Sequence, residues 1–193
     1  MMSDYNREQV VVFTTAQMYR HDRLEYLRRM AERADEGGYM CGVKLVRGAY
    51  MEKERERAEK RGYPSPIQPD KASTDRDFDA AVAWVLERLE QVHLVAGSHN
   101  EESNLRLCEL MAERGLEHGD GRVAFAQLLG MSDPITFNLA ANGYNVAKYV
   151  PYGPIRDAIP YLIRRAQENT SVAGQTSREL ELLRREQARR ITA

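Results

Sequence analysis

Five short apolar runs, each followed by a stretch with helical spacing, constrain this chain more than any other feature of its sequence. The runs lie at 10–17, 42–47, 93–98, 123–128 and 145–150, and helical patterns follow at 22–37, 75–92, 101–115, 132–142 and 154–168. Strands that alternate with helices pair in parallel through right-handed crossovers. Strand-end residues such as Lys44 to Tyr50, Ser98-His-Asn100 and Gln127 to Met131 then collect at one rim, where βα folds carry their chemistry. The stripe Phe78, Ala81, Val82, Val85, Leu86 and Leu89 has the 3.6-residue period of a helix facing a core. Ser98, three residues before Glu101, predicts a capping box. Ser132-Asp-Pro134 predicts a further helix start.

Two stretches interrupt the alternation. Residues 51–62 form a densely charged helical segment, and Tyr63 to Ser73, with three prolines, reads as an ordered loop. A long insertion after the second strand is a usual place for ligand-binding elements. The tail, 176–191, is helical by pattern and rich in Arg.

Five βα steps fall short of the eight of a closed barrel, which takes about 250 residues. An open doubly wound sheet carries a dinucleotide fingerprint, and no Gly-x-Gly-x-x-Gly occurs here. The expected fold is therefore α/β, of the (β/α)8 TIM-barrel type and incomplete, with about five C-terminal βα units and the early strands missing. The expected division is 1–175 for the barrel portion and 176–193 for a helical tail.

Composition removes several function classes. With 28 basic and 29 acidic residues and a net charge of −1, the chain offers no basic stripe for nucleic acid. No apolar run reaches the roughly 18–20 residues of a membrane span. Cys41 and Cys108 are too few for a disulfide framework, which points to a reducing compartment. His21, His93 and His118 lack metal-ligand spacing, so no metal site is expected.

Tyr161, Arg164, Arg165 and Glu168 share one helical face by their i, i+3, i+4, i+7 spacing. A pair of guanidiniums suits a small carboxylic acid, because each forms a planar two-bond fork with a carboxylate. The same pattern also fits a solvated face held by Arg–Glu pairs. Spacing alone leaves both readings open.

In Lys44-Leu-Val-Arg-Gly-Ala-Tyr50, Tyr149-Val-Pro-Tyr-Gly-Pro154 and Tyr161-Leu-Ile-Arg-Arg165, together with Gln17-Met-Tyr, Ser98-His-Asn and Gln127-Leu-Leu-Gly-Met, the chain resembles the proline dehydrogenase family of FAD-containing barrel enzymes. The resemblance runs from about Val10 to Arg184 and implies oxidation of L-proline to 1-pyrroline-5-carboxylate by hydride transfer to FAD. It implies that Arg164 and Arg165 hold the substrate carboxylate, that Leu45, Tyr50, Tyr149 and Tyr161 enclose the ring, and that Glu168 braces the cluster. It also implies cofactor contacts from Gln17, Lys44, Arg47, Gly48, Ala49, Lys71, Thr74, Ser98, His99 and Gln127, with Met51 at an adenine platform. Lys44 stands where many members have Arg. The resemblance further implies a quinone as electron acceptor and peripheral association with a membrane, in the cytoplasm or on the mitochondrial matrix side. Other readings are a non-catalytic carboxylate-binding fragment that self-associates through open sheet edges, and another flavin or phosphate-binding barrel enzyme acting on a small acid.

Overall fold

The computed structural model describes residues 1–171 and 175–192, with the side chains of 1–165, 180, 181 and 183–191. Its elements in chain order are α1 (Met2–Tyr5), β1 (Phe13–Gln17), α2 (Arg23–Gly37), β2 (Cys41–Val46), α3 (Met51–Arg61), α4 (Lys71–Leu86), β3 (Val92–Gly97), α5 (Glu101–Glu113), β4 (Val123–Leu128), α6 (Asp133–Ala141), β5 (Val146–Tyr149), α7 (Ile155–Ser171) and α8 (Gln175–Thr192). The strands form one five-stranded sheet in sequence order. The pairs β1–β2, β2–β3 and β3–β4 are parallel. The expected α/β alternation with a parallel sheet is therefore present.

Side chains on a strand point alternately to opposite faces, and the burial of β3 and of residues 43–46 of β2 follows that alternation. Cys41, Val43 and Leu45 of β2 are fully buried, as are Ala16 of β1 and Met18 just after it, while Lys44 and Val46 are only half-buried. The buried set joins Leu27, Ala31 and Ala34 of α2, the Phe78-to-Leu86 stripe of α4 and Leu107, Leu110 and Met111 of α5 in one core. That core lies on the sheet face that the helices cover.

Local chemistry sets the helix ends. The Asp70 carboxylate accepts from the Ser73 amide at 2.7 Å, so α4 starts at Lys71, inside the stretch expected to be loop. Asn100, not Ser98, caps α5, accepting from the Ser103 amide at 2.8 Å. The capping-box expectation is corrected here, because the Ser98 hydroxyl is engaged elsewhere. β1 begins at Phe13 rather than Val10: Asn6, fully buried, donates to the Val12 carbonyl and accepts from the Val11 and Val12 amides. That clasp turns Val10–Val12 out of the ladder.

The chain divides into two compact units, Met1–Lys148 and Tyr149–Ala193. The second contains α7, with Pro160 in its interior, and α8.

Candidate active site

The strand register places Gln17 opposite Val46, Lys44 between Thr15 and Val95, and Val46 opposite Gly97. By strand parity Gln17, Lys44 and Gly97 lie on the sheet face turned away from the helices. Gly97 makes room there. A β-carbon on it would lie 3.1 Å from Lys44 Cε and 2.9 Å from Val46 Cγ1. Burial holds the Lys44 amine below its ordinary basicity.

At the carboxyl ends of β2 and β3, Arg47 organises a polar cluster. Its Nε donates to Asp75 at 2.5 Å, one terminal nitrogen donates to Ser98 Oγ at 2.9 Å, and the other donates to Ser103 Oγ at 2.9 Å. The guanidinium also stacks 4.4 Å from the centre of the Phe78 ring. Lys71 shares Asp75, donating at 2.5 Å, and Ser103 donates on to Asp79 at 2.7 Å. Burial pushes the Asp75 carboxyl up, and the hydrogen bonds and charges of Lys71 and Arg47 more than reverse that, leaving it below the usual range.

The next rim position belongs to His99, whose Nδ1 is 2.9 Å from the Ser132 hydroxyl. Burial, and then the charge of Lys148, push this imidazole down to about 4, so it is neutral near pH 7. Gly48 and Ala49 form the turn after β2. Gly48 has φ 114°, and a β-carbon there would fall 1.8 Å from the Tyr19 ring. Tyr50 caps the start of α3, and the Lys53 ammonium lies 6.0 Å from its ring centre. Met51 is the first residue of that helix.

Three expected site residues occupy other environments. Leu45 is fully buried in the helix-side core, on the opposite face from Lys44. Gln127 is 1% exposed, with its amide donating to the Ser98 carbonyl at 3.3 Å and accepting from Thr136 Oγ1 at 2.9 Å. Thr74 is buried, and its hydroxyl donates to the Asp70 carbonyl at 3.3 Å within α4. The structure thus places Leu45 on the face opposite Lys44, Gln127 in a buried hydrogen-bonded position and Thr74 in α4 beside Asp75.

In the second unit, the Tyr149 and Tyr161 rings meet edge to face with centroids 6.0 Å apart. The Arg165 guanidinium lies 5.1 Å from the Tyr161 ring centre, and Arg164 and Arg165 are both half-buried. The side chain of Glu168 lies outside the described residues.

Sequence reasoning missed Asp75, Ser103, Ser132, Lys148 and Gly97. The Lys71–Asp75 pair carried a readable signal, because its i,i+4 spacing stacks the two groups on one helix face. The other contacts join residues distant in sequence, which no local pattern announces.

Arg47 and Lys71 bring positive charge, and Ser98 and His99 bring polar atoms, to one rim, which is the chemistry that a pyrophosphate-bearing cofactor needs.

A family model described as proline dehydrogenase matches residues 1–178. The chain is 43% identical over 195 residues to a hydroxyproline dehydrogenase of Xenopus laevis, covering 99% of this chain and 42% of that protein. It is 45% identical to a hydroxyproline dehydrogenase of Bos taurus, covering 93% and 40%. It is 42% identical to the human mitochondrial proline dehydrogenase 1, covering 99% and 32%. The chain therefore spans between about a third and two fifths of the length of these relatives. Among solved structures, proline utilization A from Bdellovibrio bacteriovorus, inactivated by N-propargylglycine, superposes with a TM-score of 0.75 at 32% identity, over 82% of this chain and 16% of that one. A Bradyrhizobium japonicum proline utilization A variant superposes with a TM-score of 0.74 at 26% identity, over 84% and 16%.

Proposed function

The chain belongs to the proline dehydrogenase family, and from that premise we propose that it contributes the substrate and cofactor residues of an FAD-dependent enzyme that oxidises L-proline to 1-pyrroline-5-carboxylate in proline catabolism. The observation that carries this reading is the helix face of α7 that holds Arg164 and Arg165 beside Tyr161, itself in edge contact with Tyr149. Two half-buried guanidiniums next to an aromatic pair suit a carboxylate joined to a small apolar ring.

The roles follow from chemistry. Arg164 and Arg165 take the carboxylate in charge-assisted hydrogen bonds and so fix the ring's orientation. Tyr149 and Tyr161, in edge-to-face contact, supply apolar surface for the ring. Oxidation removes a hydride from ring C5 and a proton from the ring nitrogen, leaving a carbon–nitrogen double bond. Bound FAD supplies the two-electron acceptor for that hydride. Lys44, with its basicity reduced by burial, places positive charge on the cofactor face, where Gln17 also lies. Arg47, Lys71, Ser98 and His99 would hold the pyrophosphate side of the cofactor, with Gly48 and Ala49 in the adjoining turn.

The five βα units read as the C-terminal portion of an eight-unit barrel, residues 1–175, followed by the tail at 176–193. Edge strands β1 and β5 then offer backbone groups for pairing with further strands or with a second copy. Electrons pass onward to a quinone at a membrane that the enzyme meets peripherally. Among the described residues no helix is long and apolar enough to cross a membrane, and relatives in human and Drosophila melanogaster are named mitochondrial. The cytoplasm or the mitochondrial matrix side fits this reading.

A second reading differs only in the substrate. The 43% and 45% identities to proteins named hydroxyproline dehydrogenase favour a ring that carries a hydroxyl group. An absorbance spectrum of the purified chain with excess FAD, then with L-proline or hydroxyproline added anaerobically, tests both. Bleaching of the bound flavin is expected, and the faster substrate decides between the two readings. Bound flavin that neither substrate bleaches, or no bound flavin at all, would overturn the proposal for this chain.

A further inference from the structure

Ser132 is the one non-glycine residue with positive φ among the described residues, at φ 52° and ψ 39°. It is also the N-cap of α6, where a serine hydroxyl usually accepts from a backbone amide one turn on. Here it makes no such bond, and its oxygen is instead 2.9 Å from His99 Nδ1. Backbone strain and a forgone cap at the same buried residue are both explained if the hydroxyl's task is to hold the imidazole.

A single cation clamps the turn on both sides of Ser132. Lys148 Nζ donates to the Met131 carbonyl at 2.6 Å and to the Asp133 carboxylate at 2.7 Å. Its side chain is 19% exposed, so both bonds sit in a partly dry setting. The Ser132 carbonyl is held as well, accepting from the Thr136 amide at 3.1 Å. Residues 131, 132 and 133 are thus pinned one after another.

We propose that Lys148 is a positioning residue for the cofactor site: it clamps Met131 and Asp133 so that Ser132 stays in its left-handed conformation and its hydroxyl holds His99 Nδ1, fixing the ring in one orientation. Any group that meets the other ring nitrogen then meets it at a fixed position. The inference deepens the flavin reading and rests on it for the identity of the group that His99 serves. The clamp itself stands on this chain alone.

The test uses the 193-residue chain with 15N-labelled histidine, first without FAD. A single set of imidazole nitrogen shifts with a hydrogen-bonded Nδ1 is expected for His99. Lys148→Met and Ser132→Gly are each expected to move the Nδ1 shift as its hydrogen bond is lost. Glycine tolerates the positive φ, so the second variant keeps the turn while removing the hydroxyl. Lys148→Arg is expected to keep the unmodified Nδ1 shift at least in part. Unchanged shifts in both Lys148→Met and Ser132→Gly would overturn the clamp whatever the flavin does. FAD titration of the same samples separates the two claims. About tenfold weaker binding in both variants, the equivalent of roughly one hydrogen bond, supports the link to the cofactor. Altered shifts with unaltered FAD affinity would overturn that link. Failure of the unmodified chain to bind FAD would count against the flavin reading while the shifts still decide the clamp.

Discussion

The ring of Tyr19 occupies the space where Gly48 would carry a β-carbon: an ideal carbon at that point would fall 1.8 Å from Tyr19 Cδ1. Tyr19 cannot easily withdraw. It is 4% exposed, its amide donates to the Arg47 carbonyl at 2.7 Å, and its carbonyl accepts from the Gln68 amide at 2.7 Å. Gly48→Ala is therefore expected to destabilise the chain by about 3 kcal/mol or more, from overpacking and a φ of 114° that alanine disfavours. Urea denaturation measures this, and adding Tyr19→Ala should recover only the steric part. A loss below about 1 kcal/mol would show that the ring moves freely.

Arg47 is the node of the rim between β2, α4 and α5. Arg47→Met keeps much of the stem but leaves the Asp75 carboxylate with Lys71 alone, removes the guanidinium donor to Ser103 and leaves Ser98 Oγ with the Asn100 amide. A loss of about 2–3 kcal/mol is expected, below the value for a fully buried pair because Arg47 and Asp75 are 21% and 28% exposed. Arg47→Lys should recover less than half of it, since an ammonium cannot reach three acceptors in a planar fork. Chemical denaturation of the three proteins checks the order.

Stability should fall as pH drops from about 6.5 toward about 4, and His99 is the main reason. Its folded value is pushed down to about 4, while an unfolded histidine titrates near 6.5. Between those values the unfolded chain binds a proton that the folded chain refuses, so acid favours unfolding. The loss begins below about pH 6.5 and amounts to about 3 kcal/mol by pH 4. His93, lowered by burial in the same direction, adds to it. Urea midpoints between pH 7 and 4.5 should show a slope that His99→Gln largely removes. A slope unchanged by that substitution would refute the assignment.

Substrate affinity should depend on the two arginines of α7 more than flavin content does. Arg164→Ala and Arg165→Ala are each expected to weaken proline binding by about 10- to 100-fold, the range for one charge-assisted hydrogen-bonding partner. Lysine at either position should not restore it, for want of the fork. Titrating flavin bleaching with proline, alongside flavin absorbance per chain, separates the two effects. Equal losses of both would argue that the pair serves the fold.

Much of the fold is legible in the sequence because its signals are local. The five apolar runs correspond to five strands, and the α4 stripe to its buried face. Where pattern and structure part, a distant contact prevails. Asn6 bends Val10–Val12 away from β1, and Arg47 draws on the hydroxyl of Ser98 while Asn100 takes over the cap. For the candidate site, the motifs identify the rim, yet strand parity sends Leu45 into the core although its neighbours Lys44 and Arg47 meet other groups. No spacing rule could foresee Lys148 reaching back across 17 positions to Met131.

The alternation along β2 has a practical side for anyone altering this protein. Successive positions answer to different masters, one to folding and the next to whatever occupies the open face. A saturation library across residues 43–46 should sort by odd and even position, with abundance lost at 43 and 45 and ligand behaviour changed at 44 and 46. Two superimposed texts are written in the same strand, and they can be edited independently.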